Sequence, residues 1–77
     1  MSIKVRYFAS LKDQVGRGED ELNTEDGLTV LDVWQRLNPQ INMPDSVLAA
    51  VNRDYVAMNA QVNEGDEVAF FPPVTGG

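Results

Sequence analysis

The chain has 77 residues, which supplies one small domain and no second core, and it contains neither Cys nor His, which excludes disulfides, thiolate nucleophiles, zinc fingers and histidine acid–base chemistry. Twelve acidic side chains against six basic ones give a net charge of −6, a surface that repels nucleic-acid phosphates. With 43% hydrophobic and 23% charged residues the composition is that of a folded domain and not of a disordered acidic tail.

The opening Ile3-Lys4-Val5-Arg6-Tyr7 alternates strictly, which predicts a half-buried strand with Ile3, Val5 and Tyr7 inward and Lys4 and Arg6 outward. Phe8 falls on the Lys4/Arg6 face, where the pattern asks for a polar residue. Ser10 to Val15 suits a short helical turn closed by Gly16-Arg17-Gly18, and the polar stretch from Glu19 to Asp26 is expected to hold a second strand around Asp20 to Asn23. Thr29 is a good N-cap, Asp32 stands at the third helical residue, and Leu28 and Val33 occupy the two positions of a hydrophobic staple. Val30, Val33, Trp34 and Leu37 then recur with helical spacing until Asn38-Pro39, so one amphipathic helix is expected to cover one sheet face.

After the turn-rich Pro39 to Ser46, the apolar run Val47 to Val51 reads as a strand in the sheet interior. Asn52-Arg53-Asp54 reads as a turn and Tyr55-Val56 as the start of a short strand. Asn63-Glu64-Gly65-Asp66 turns the chain into Glu67 to Phe71, with Val68 and Phe70 on one face and Glu67, Ala69 and Phe71 on the other. The order is close to β-β-α-β-β-β, an α+β domain in which a mixed sheet wraps around one main helix. No apolar run approaches the roughly 18–20 residues of a membrane span, so a soluble, cytoplasmic chain with no membrane or nucleic-acid partner is expected.

Three features bear on chemistry. The acidic groups Glu19 to Glu21, Glu25-Asp26 and Glu64 to Glu67 lack the spacing of a calcium loop and read as solvated turns, so no metal site is expected. Phe8 and Phe71 share the sheet face away from the helix. If the first and last strands are neighbours they form one apolar patch, extended by Tyr55, that is either a protein contact or covered by a loop; clustered exposed aromatics favour the contact. Last, Pro72-Pro73-Val74-Thr75-Gly76-Gly77 follows the final strand. The prolines keep this arm extended to roughly 20 Å, at about 3.3 Å per residue. Gly76 and Gly77 lack a Cβ, so the tip fits a narrow channel. A Gly-Gly end also suits a frayed tail, but its place on a proline-stiffened arm favours a functional end.

Lys4-Val5 through Phe8-Ala9, Leu48 through Asn52, and above all Gly65-Asp66-Glu67-Val68-Ala69-Phe70-Phe71-Pro72-Pro73-Val74-Thr75-Gly76-Gly77 resemble the sulfur-carrying small subunits of molybdopterin synthases. The resemblance spans the chain and implies a ubiquitin-like β-grasp domain over residues 1–71 with a Gly-Gly arm at 72–77. It implies that a ubiquitin-activating-type adenylating enzyme spends ATP to make an acyl-adenylate at Gly77, and that a sulfur-donor enzyme converts this to a thiocarboxylate. The arm then enters the large subunit, in an assembly of two large and two small chains, where the sulfur attacks cyclic pyranopterin monophosphate. On this reading Gly77 carries the cargo and Gly76 is the neck. Phe8, Tyr55, Phe71, Pro72, Pro73, Val74 and Thr75 contact partners, no cofactor is bound, and the chain is not catalytic alone. A ubiquitin-like modifier conjugated through Gly77, or a plain binding module using the aromatic patch, are the alternatives.

Overall fold

The computed structural model describes residues 2–24, 27–44 and 46–73. The alternating N-terminal segment forms β1 (Ser2–Tyr7), whose Ile3, Val5 and Tyr7 are buried while Lys4 and Arg6 are exposed. Helix α1 (Ser10–Val15) turns the chain back, burying Leu11 and Val15, and stops at Gly16, whose φ of 84° is the left-handed cap conformation that glycine adopts without a Cβ clash. β2 (Glu19–Asn23) then runs antiparallel to β1, pairing Arg6 with Glu19 and Lys4 with Glu21. These opposite charges face each other across the ladder, which favours this register over its neighbours.

A two-residue strand, β3 (Leu28–Thr29), leads directly into α2 (Val30–Leu37). The capping box expected from the sequence is formed: the Asp32 N–H donates to Thr29 Oγ1 at 3.2 Å, and the Thr29 N–H donates to Asp32 Oδ2 at 3.0 Å. The apolar stripe of α2 buries Val30, Val33 and Trp34 against the sheet. β4 (Leu48–Val51) and β5 (Asp54–Val56) make a hairpin, β6 (Gln61–Val62) pairs with β3, and β7 (Glu67–Phe71) closes the fold. The main sheet has the order β2-β1-β7-β4-β5, with β1 and β7 parallel and the other neighbours antiparallel.

The expected mixed sheet around one main helix is therefore present, with three differences. The β3–β6 pair was not expected, because two-residue strands leave no periodicity to read. Asp54 belongs to β5 and not to the turn, which narrows to Asn52-Arg53. Leu48 is 39% exposed although its run read as interior: Ala49 points to the core, and Leu48 opposes Phe71 on the outer face.

The core has an aromatic centre. Phe70 and Trp34 meet edge to face at 5.1 Å, and Tyr7 packs against both, at 6.0 Å from Phe70 and 5.9 Å from Trp34. Trp34 Nε1 donates to the Ile41 carbonyl at 2.9 Å, which holds the loop after α2 against the helix.

Candidate functional site: the outer face of the sheet

The parallel pairing of β1 with β7 decides the site, because it sets the ends of these strands side by side. Beyond Tyr7 the ladder continues one step: the Phe8 N–H donates to the Phe70 carbonyl at 3.1 Å. Residues alternate in face along both strands, so Phe8 and Phe71 emerge together on the side away from α2. Their rings stack with centroids 4.8 Å apart and planes 10° apart. Tyr55, opposite Ala50 on the β4–β5 hairpin, leans on Phe71 at 6.1 Å, and Leu48 faces Phe71 from β4.

The result is an exposed apolar patch on a rigid sheet, with Tyr55 71% and Phe8 39% exposed. Ala50 and Ala69, paired in register, make a floor of small side chains between the rings. A groove of about 290 Å³ results, lined by Arg6, Phe8, Ala50, Arg53, Tyr55, Glu67, Ala69 and Phe71. Within the lining, Arg6 Nε lies 3.6 Å from Glu67 Oε2.

A polar network fixes the other side of this corner. Asn38 is buried; its Nδ2 donates to Tyr7 Oη at 2.9 Å, and Tyr7 Oη donates to Asp20 Oδ2 at 3.2 Å. Arg17 donates from Nε to Asp20 Oδ2 and from Nη2 to Asn38 Oδ1, both at 2.7 Å. β1, the α1–β2 loop, β2 and the end of α2 are thereby tied together behind the patch. Burial pushes the Tyr7 phenol above its ordinary pKa, and the Asp20 charge adds to this, so the ring stays neutral.

Of the site residues expected from sequence, Phe8, Tyr55 and Phe71 are brought together as one patch. Pro72, half-buried, and Pro73, exposed, continue from β7 directly beside it. Val74, Thr75, Gly76 and Gly77 lie outside the described residues. The sequence reading missed Leu48, the alanine floor, Arg6 and Arg53. The first two depend on the β4–β7 register, and Arg53 on a turn geometry that no local motif announces. Among the described residues no group of three or more acidic side chains is gathered as a metal site, and no helix is long and apolar enough to cross a membrane.

A mixed sheet with parallel first and last strands wrapped on one helix, carrying an exposed aromatic patch at the end of its last strand, defines a ubiquitin-like protein of the β-grasp class. The ThiS family matches residues 5–77, and the chain belongs to that family. The chain is 52% identical over 82 residues to the molybdopterin synthase sulfur carrier subunit of Haemophilus influenzae, covering 97% of this chain and 99% of that one. It is 41% identical over 81 residues to the molybdopterin synthase sulfur carrier subunit of Escherichia coli K12, with the same coverage of 97% and 99%. Among solved structures, SAMP1, a small archaeal modifier protein of Haloferax volcanii, superposes with a TM-score of 0.81 at 25% identity and complete coverage of both chains. The protein–protein complex of subunits 1 and 2 of the molybdopterin-converting factor from Helicobacter pylori contains the same fold, with a TM-score of 0.66 at 18% identity and complete coverage of both chains.

Proposed function

We propose that this chain is the sulfur-carrying small subunit of a molybdopterin synthase and holds its sulfur as a thiocarboxylate on Gly77. One observation carries the reading: Phe71, the last residue of β7, belongs to the aromatic patch and stands six residues before Gly77 in the sequence, so a partner that grips the patch holds the chain close to that residue. The full-length similarity to sulfur carrier subunits supports the same assignment.

A carboxylate is a poor acyl donor, because attack on it must expel an oxide. Transfer of AMP from ATP to the Gly77 carboxylate, with loss of pyrophosphate, supplies a good leaving group. Sulfur at the oxidation level of hydrosulfide then displaces AMP and leaves the thiocarboxylate, a soft nucleophile at neutral pH. Docked on the large subunit, that sulfur attacks cyclic pyranopterin monophosphate. Hydrolysis of the resulting thioester returns the Gly77 carboxylate, and two transfers build the dithiolene. The chain itself, without Cys or His, contributes the nucleophile, the docking patch and the slim arm. Acid–base groups and substrate contacts come from the large subunit, and ATP is bound by the adenylating partner.

Adding one residue beyond Gly77 buries the reactive carboxylate in a peptide bond. Such a chain is expected to accept no sulfur from an adenylating enzyme, ATP and a sulfur donor; loading at the wild-type rate would overturn the proposal. The likeness to an archaeal modifier protein favours one second reading, conjugation of Gly77 to lysines of other proteins. An isopeptide-linked Gly77 in a digest of cell protein supports that reading.

A further inference from the structure

Arg53 stands where the backbone does not favour it. β4 and β5 are joined by the two-residue turn Asn52-Arg53, and both residues have positive φ, 51° and 73°. Hairpins of this length need left-handed residues to match the strand twist, and the second position is ordinarily glycine. Asparagine tolerates the conformation at the first position, but arginine has no such local compensation. Among the described residues the guanidinium makes no hydrogen bond or ion pair in return. Its sequence neighbour Asp54 opposes Val51, and so lies on the core-side face while Tyr55 takes the outer one.

What Arg53 does is line the groove under the aromatic patch. That lining holds two guanidiniums and one carboxylate, and Arg6 already has the carboxylate of Glu67 at 3.6 Å. Among the described residues, Arg53 is thus the charge of this lining without an ion-pair partner, beside a floor of Ala50 and Ala69 and the aromatic rings. The chain as a whole is strongly acidic, with a net charge of −6. A polyanion would be repelled over most of its length, whereas a single carboxylate within reach of Arg53 is attracted at short range.

We infer that Arg53 is a specificity residue of the docking face: it receives a carboxylate that the synthase large subunit presents beside the apolar side chain seated over Ala50 and Ala69. The inference rests on the proposed function and adds the chemistry of what docks. Arginine suits the task, since its planar fork binds a carboxylate by two parallel hydrogen bonds and loses less hydration than an ammonium.

The test is a titration of the full chain against the large subunit of the same organism at two salt concentrations, with the wild type and Arg53→Gln, Arg53→Lys, Arg53→Gly and Phe71→Asp. Arg53→Gln is expected to weaken binding by roughly fivefold to tenfold and to flatten its salt dependence, with Arg53→Lys in between. Arg53→Gly relaxes the turn and is expected to lose affinity to the same degree, which separates a lost contact from a damaged hairpin. If Phe71→Asp abolishes binding while Arg53→Gln and Arg53→Gly bind as the wild type does, the docking face stands and the role of Arg53 is overturned. If the wild type does not bind the large subunit, the proposed function falls and this inference with it.

Discussion

Phe8 and Phe71, from opposite ends of the chain, stack face to face at 4.8 Å because β1 and β7 run parallel and finish side by side. The pair makes an exposed apolar patch at the end of β7, which on the proposed function is the docking surface for the large subunit. A carboxylate placed at either ring removes apolar contact and requires the partner to desolvate a charge. Phe8→Asp and Phe71→Asp are each expected to cost about 2 kcal/mol or more of binding to the large subunit, near thirtyfold in affinity. Both rings lie on the face opposite the core, so urea unfolding should remain a single cooperative transition. Unchanged affinity in a calorimetric titration would contradict the assignment.

Tyr7→Phe leaves the buried Asn38 Nδ2 without its acceptor and is expected to destabilise the fold by about 1–2 kcal/mol at neutral pH. The pH dependence has a definite sign. With its pKa raised in the folded state, the wild-type phenol contributes stability that is complete below its unfolded pKa and is lost as pH rises through the folded value. The wild type should therefore lose stability in the alkaline range more steeply than Tyr7→Phe. Parallel alkaline denaturation curves would show that the network does not hold this proton.

Thr29→Ala removes the N-cap of α2 and should cost about 1 kcal/mol. Its partner Asp32 is held below the usual carboxylate range, chiefly by the Thr29 backbone N–H and next by the Thr29 hydroxyl. A depressed pKa gives stability above the unfolded value that is lost as pH falls through the folded one. The stability difference between the wild type and Asp32→Asn should thus be present at neutral pH and close in acid. A gap that persists through the acid range would rule out the charged cap.

Arg53→Gly removes the side chain from a residue with φ of 73° and is expected to raise the stability of the isolated chain by roughly 0.5–1 kcal/mol, the relief of left-handed strain exceeding the added entropy of the unfolded chain. A higher melting temperature checks this. A lower one would mean that Arg53 supports the hairpin.

Strands and helix were legible where the sequence has a period. The alternation of Ile3 to Tyr7 and of Glu67 to Phe71, and the capped stripe from Thr29 to Leu37, each correspond to an element, and the off-pattern Phe8 marked the outer face. The stacking partner of Phe8 was legible only under the condition that β1 and β7 are neighbours, which local pattern does not decide. What stayed hidden depends on pairing between distant segments. Leu48 reads as interior because an apolar run has no alternation; its register opposite Phe71 exposes it. Arg53 sits in a turn whose sequence does not show positive φ, since that geometry is imposed by the twist of β4 and β5.

On the proposed function, Gly77 carries sulfur. Intact mass spectrometry after incubation with the adenylating enzyme, ATP and a sulfur donor tests it directly, with the shift mapped to the peptide that ends at Gly77, because oxidation of a methionine such as Met43 or Met58 adds nearly the same mass as replacing oxygen by sulfur. The terminal peptide is expected to gain the mass difference between sulfur and oxygen. An unchanged terminal peptide, with an adenylating enzyme shown to be active on another carrier, would contradict it.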